Sequence, residues 1–270
     1  MSKIVYITGI AGFIGSTLAK RLHSEGYEVI GIDNLSGSDG SNLEGVDFAW
    51  EVGDFDKVNK VRADVIVHLA AMTNARDFDE EKMREENYVK TRKLVAKNPD
   101  KRIIFASTCL EAKPELNFYA SYKHLASHYI EEFNGDYVIL KFGNVFGPNQ
   151  RDWGEEPNVL AAWKKAVEEG KPIRIDGDGS QVRDFIHVDD VCEAIQKTIE
   201  RPNVTKEKIS ICTGTQYSIR EAAEICYPDQ SVVLGERHPL DYDYILQDPR
   251  KAKMLLGFTA KRRIGDNNVV

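Results

Sequence analysis

Eight residues near the start of the chain, Thr8-Gly9-Ile10-Ala11-Gly12-Phe13-Ile14-Gly15, restrict what it can fold into more than any other segment. They follow a short apolar run over 3–8 and precede apolar residues at helical spacing over 13–24, which Gly26 stops. In that strand–turn–helix context Gly9, Gly12 and Gly15 allow a tight turn and let helix N-terminal amides approach a pyrophosphate, with Phe13 and Ile14 beside it. The companion feature is an acid about 20 residues on. Asp33 lies 18 residues past Gly15, at the end of the second predicted strand. There a carboxylate accepts both ribose hydroxyls and repels a 2′-phosphate, so NAD is expected rather than NADP. The alternative is that Asp33 only opens the turn Asp33-Asn34-Leu35-Ser36-Gly37.

The same alternation continues along the chain. Residues 28–33, 64–69, 102–107 and 136–142 read as β-branched strands, with helical stretches over 83–97 and 119–133 between them. This predicts an α/β fold, a doubly wound parallel Rossmann sheet. After Gly147-Pro148 the texture shifts to Trp, Pro and Gly with shorter elements. A smaller substrate-binding lobe is expected from 149–179 and 205–270. Residues 1–148 would form the NAD-binding domain, with 180–204 returning to it as a strand and a helix. The tail after Phe258 reads as a frayed end.

Charge excludes some function classes. Lys and Arg number 36 against 43 Asp and Glu, a net charge of −7 that invites neither nucleic acid nor an anionic membrane surface. No apolar run approaches the roughly 20 residues that span a bilayer, and the start runs directly into a strand, so a cytoplasmic protein is expected. Cys109, Cys192, Cys212 and Cys226 form no CxxC pair, so neither a metal site nor a disulfide framework is signalled.

Tyr119 and Lys123 stand four apart in a helical segment, so both emerge from one face. A phenol normally titrates near pH 10, and a cation within about 4–6 Å favours its anion by roughly 1–3 units, which suits a general acid/base.

Taken in order, TGIAGFIG, the Asp33-Asn34-Leu35 turn, Gly53-Asp54-Phe55, His68-Leu69-Ala70-Ala71 and Asn87 in NYVKT resemble the extended short-chain dehydrogenase/reductase family, in its NAD-dependent sugar epimerase/dehydratase group. The resemblance implies that Asn34 and Leu69 lie in the NAD site, that Asp54 and Phe55 hold the adenine, that Ala70 and Ala71 line the cofactor, and that Asn87 fixes the adjacent loop. It makes Tyr119 and Lys123 the catalytic signature, both also touching NAD. Thr108 falls where the family's hydroxyl meets the reacting sugar oxygen, with Ser107 as the alternative. Asn144 matches a sugar-nucleotide contact, and Arg183 and Arg237 match two diphosphate-binding arginines, whereas Asp184 and His187 read as structural.

Two departures from the family pattern matter. Glu111-Ala112-Lys113 replaces the usual Val-Tyr-Gly, and Tyr119 follows Thr108 by only 11 positions. Leu110 stands where dehydratases and decarboxylases carry an acid, with Glu111 one place on; were Ser107 the hydroxyl, Cys109 would fall where 3,5-epimerases carry a cysteine. The implied activity is an NAD-dependent nucleotide-sugar 4-epimerase acting through a 4-keto sugar. Its alternatives are a dehydratase, a reductase or a 3,5-epimerase on the same fold, and a non-catalytic NAD sensor or scaffold. A homodimer is expected through helices 83–97 and 119–133, where Tyr122, Leu125, Ala126, Tyr129, Ile130 and Phe133 give more apolar breadth than one buried face needs.

Overall fold

The computed structural model describes residues 2–76, 79–150 and 158–266. Seven parallel strands form its central sheet: β1 (Ile4–Thr8), β2 (Glu28–Asp33), β3 (Ala49–Val52), β4 (Val65–His68), β5 (Arg102–Thr108), β6 (Tyr137–Phe142) and β7 (Glu207–Ile211). Their spatial order is β7-β6-β5-β4-β1-β2-β3, with direct neighbours such as Val5 against both Val29 and Val65. Covered on both faces, the inner strands are near-continuous apolar runs; all of Val65–His68 is buried.

Helices α1 (Phe13–Ser24), α2 (Lys90–Lys97), α3 (Phe118–Phe133) and α4 (Val188–Glu200) supply the cover. One core joins Leu18 and Leu22 of α1 and Val191 and Ile195 of α4 to Val5, Ile7 and Val67 of the sheet. The other joins Leu94 and Val95 of α2 and Ala126 and Ile130 of α3 to Ile66, Ile103 and Phe105. Strand order reverses at β1, whose neighbours are β2 and β4. Ligands of open α/β sheets bind at such a switch point, beyond the carboxyl ends of the strands.

The smaller lobe pairs Ile173–Asp176 with Val232–Gly235 and Val182–Arg183 with Tyr217–Ser218. Phe146, Leu160, Trp163, Phe185 and Ile219 form its core. Residues 151–157 of the expected lobe lie outside the described residues.

Several expected boundaries are corrected. Glu207–Ile211 was expected in the lobe but is the edge strand of the large sheet, paired in register with β6, because Ile209 and Ile211 bury against it. Helix α5 (Arg250–Leu256) likewise puts Ala252 and Leu256 into the first core. The returning strand, Phe185–His187, pairs with Asn144–Phe146 outside the large sheet, while its Ile186 and the helix α4 that follows pack into the core against the sheet. The tail is not frayed up to residue 266: Phe258, Ala260 and Ile264 are buried, and the Lys261 and Arg262 amides donate to Asp190.

Candidate active site

The glycine turn connects β1 to α1 at the switch point. Gly9 has φ +74°, and a Cβ there would lie 2.8 Å from the Ala70 amide nitrogen; a Cβ on Gly15 would lie 2.0 Å from the Gly9 carbonyl oxygen. Gly12 is the N-cap of α1 and offers it no side-chain cap, so the first-turn amides, with Phe13 and Ile14, suit an outside acceptor. Asp33 Oδ2 accepts from the Ala11 amide (3.0 Å) and Oδ1 from the Leu35 amide (2.9 Å). Asp33 therefore opens its turn and is held at the glycine loop, with acceptor capacity remaining on each oxygen.

Further out, Asp54 accepts from Asn34 Nδ2 and from Lys90 Nζ, each at 3.0 Å, and pairs with Lys57 at 3.0 Å. Those hydrogen bonds, Asn34's first, hold its carboxyl well below the usual range. Phe55 is buried against the His68 ring, 4.8 Å between centroids. The strand end of β4 is tied to β1 by Leu69 N to Thr8 O and Ala70 N to Thr8 Oγ1, both 3.2 Å. Asn87, 1% exposed, clamps the following loop by accepting from the Met72 amide (2.8 Å) and donating to its carbonyl (2.9 Å). Ala70 and Ala71 are half-buried along this edge. The side-chain-free cradle at a helix N-terminus, with a carboxylate at its far end, fits a dinucleotide.

At the next strand end β5 delivers Ser107 and Thr108, and two 3₁₀ turns, Cys109–Ala112 and Pro114–Leu116, fill the short connection to α3. Asn117 caps α3 by accepting from the Ala120 amide at 2.8 Å, which sets Tyr119 in its first turn and Lys123 one turn on. The Thr108 hydroxyl lies beside the Tyr119 phenol and favours its ionised form. Burial raises that phenol above its usual value, Cys109 and Glu111 add to the rise, and Thr108 opposes it. Lys123, 2% exposed, has its Nζ 4.1 Å from the Phe105 ring centroid, and burial pushes it down to about 7 against the pull of Glu111.

Ser107 faces the other way, donating to Glu111. His68, fully buried, bonds Thr8 and Thr91 through its two ring nitrogens and packs on Phe55 and Phe105, a structural histidine.

On the lobe side, Arg183 is 7% exposed and is taken up by a buried ion pair with Asp241, a hydrogen bond to the Tyr242 carbonyl (2.9 Å) and a stack 3.6 Å over the Tyr242 ring. Arg237 pairs instead with Asp243 at 2.6 Å. The two expected diphosphate ligands thus hold carboxylates two residues apart on one segment. Tyr242 escaped sequence reading: its phenol reaches Asn144 Oδ1 at 3.5 Å, and it packs with Tyr119, Cys109 and Leu110 in the small cluster between sheet and lobe. Asp184, as expected, is structural, accepting from Thr213 and Gly214 amides, and His187 caps α4.

Residues 5–212 match the NAD dependent epimerase/dehydratase family. The chain belongs to this family. It is therefore an NAD-dependent enzyme of the epimerase/dehydratase class, and the cradle fits that cofactor. Among curated relatives, it is 29% identical over 250 residues to a putative UDP-glucose 4-epimerase of Methanocaldococcus jannaschii, covering 82% of this chain and 81% of the relative. Among solved structures, Pal from Bacillus thuringiensis superposes with a TM-score of 0.89 at 25% identity, covering 98% of this chain and 96% of that one. The UDP-glucuronic acid 4-epimerase of Bacillus cereus, in complex with UDP-glucuronic acid and NAD, superposes with a TM-score of 0.85 at 26% identity, covering 98% and 96%. Among the described residues no helix is long and apolar enough to cross a membrane.

Proposed function

We propose that this enzyme is a nucleotide-sugar 4-epimerase working through a transient 4-keto sugar, with a UDP-sugar as substrate. The observation that carries the reading is the Thr108 hydroxyl against the Tyr119 phenol, with Lys123 one helical turn away beside the cradle. Bound NAD supplies the oxidant that takes the C4 hydride and later returns it. Tyr119 accepts the proton of the 4-hydroxyl as the C4–O double bond forms and gives it back on reduction. Thr108 hydrogen-bonds the same oxygen, and the Lys123 ammonium favours the phenolate in a site that otherwise raises it. Arg183 and Arg237 would trade Asp241 and Asp243 for the diphosphate, for which a guanidinium has a matching fork of donors, while Asn144 meets the sugar nucleotide.

The alternatives find less support. Leu110, not an acid, stands two places after Thr108, and the Glu111 carboxylate is engaged by Ser107 and Ser127, which disfavours elimination. Burial pushes the Cys109 thiol up to about 11, leaving no thiolate at neutral pH to take a proton from carbon. We also read the protein as a homodimer, since Leu125 (41%) and Phe133 (53%) stay exposed on α3. A cytoplasmic location suits its four free cysteines.

The test is a panel of UDP-sugars incubated with purified protein and no added cofactor. Interconversion of C4 epimers supports the reading; a product of altered mass, or bound NAD with no turnover, defeats it.

A further inference from the structure

Glu111 is a buried carboxylate, 7% exposed, that the reaction above does not use. It sits where the end of β5, the first 3₁₀ turn and α3 meet, and its Oε1 accepts from both Ser107 Oγ and Ser127 Oγ. Both serines are buried. Two neutral hydroxyls stabilise such a charge only in part, so a cation nearby matters. Tyr119, Lys123 and Ser127 step by four along α3. The face that presents the catalytic pair therefore also grips Glu111.

We infer that Glu111 is a positioning residue for the proposed reaction: fixed by Ser107 and Ser127, its carboxylate keeps Lys123 a cation beside Tyr119. The inference rests on Tyr119 and Lys123 being the catalytic pair. Burial works against the Lys123 ammonium and Glu111 works for it. Among the described residues the other groups facing Lys123 supply no negative charge. His68 of β4 stays neutral, pushed down to about 3 by burial and then by Lys123; β5 presents the Phe105 ring; and Tyr119 of the same helix is a phenol raised by burial. Glu111 also raises Tyr119. Removing its charge therefore lowers Lys123, while Tyr119 loses both the rise from Glu111 and, above the Lys123 midpoint, the ammonium that favours its phenolate.

Glu111→Gln keeps the hydrogen-bonding shape and deletes the charge. The side-chain nitrogen of Lys123 is titrated by NMR in NAD-loaded wild type and variant, with Lys123→Met identifying its signal. The Lys123 midpoint is expected to fall by about one unit or more, with KM within about twofold. An unchanged midpoint in folded Glu111→Gln overturns the inference. Should that variant not fold, Glu111→Asp withdraws the charge by one methylene and is expected to give a smaller shift in the same direction; no shift overturns it equally. The titration needs no turnover, so an inactive wild type would defeat the catalytic reading while the effect of Glu111 on the Lys123 charge is still decided.

Discussion

Gly15 has no room for a side chain, because its Cβ would collide with the Gly9 carbonyl oxygen at 2.0 Å. Gly15→Ala must therefore move the turn, and overpacking of this kind costs about 1–3 kcal/mol. We expect purified Gly15→Ala to carry about tenfold less NAD than wild type, read from absorbance after denaturation. Tyr119→Phe keeps the ring and loses the proton acceptor. A loss in kcat of about hundredfold or more is expected, about 2.7 kcal/mol of barrier, with KM little changed. His68 makes a prediction about pH. Folded, it stays neutral down to about 3, whereas the unfolded chain protonates near 6.5. Between those values the unfolded state binds the extra proton, so stability falls as pH drops through the window. The Tm of wild type should fall there more steeply than that of His68→Gln; parallel curves would contradict this. At this scale the sequence made legible what local spacing encodes: the glycines with Asp33, and Tyr119 with Lys123. It left the choice between Ser107 and Thr108 open, because which neighbour each hydroxyl meets, Glu111 for Ser107 and Tyr119 for Thr108, is decided only by the tertiary fold. Tyr242, Asp241 and the partners of Glu111 carried no local signal, since each meets its partner only through the tertiary fold.

Elements with a clear apolar run or stripe were legible and edge strands were not. Helix α1 spans Phe13–Ser24 and β2 spans Glu28–Asp33, as their apolar runs predict. Strand β3 was missed because Ala49, Glu51 and Val52 are exposed at the sheet edge, where no buried face imposes a pattern. Strand β7 buries only Ile209 and Ile211 of its five residues, too weak a pattern to separate it from the lobe around it. Within the lobe, Arg183 and Asp241 form a pair whose side chains are 7% and 8% exposed. Breaking one partner of a buried pair leaves an uncompensated charge, at a cost of about 3–5 kcal/mol. Urea unfolding of Asp241→Asn should show a loss of that size, and a loss near zero would mean that the pair is solvated in solution.

For the whole molecule, α3 divides its apolar residues between two faces. Ala126 and Ile130 are fully buried on the sheet, while Leu125 and Phe133 stay exposed and Tyr129 half-buried beside Arg92, whose guanidinium lies 5.1 Å over its ring. A second copy covering this face predicts a dimer by light scattering at micromolar concentration, and Phe133→Asp should shift it to monomer with the fold retained. A monomeric wild type would remove the dimer from the account. The central claim is that C4 is oxidised and reduced again inside one site. A UDP-sugar carrying deuterium at C4 tests it most directly, incubated with purified protein in ordinary water without added NAD. The account predicts the C4 epimer at unchanged mass with the deuterium still on C4. Loss of the label to solvent, or a product lighter by one water, would contradict it.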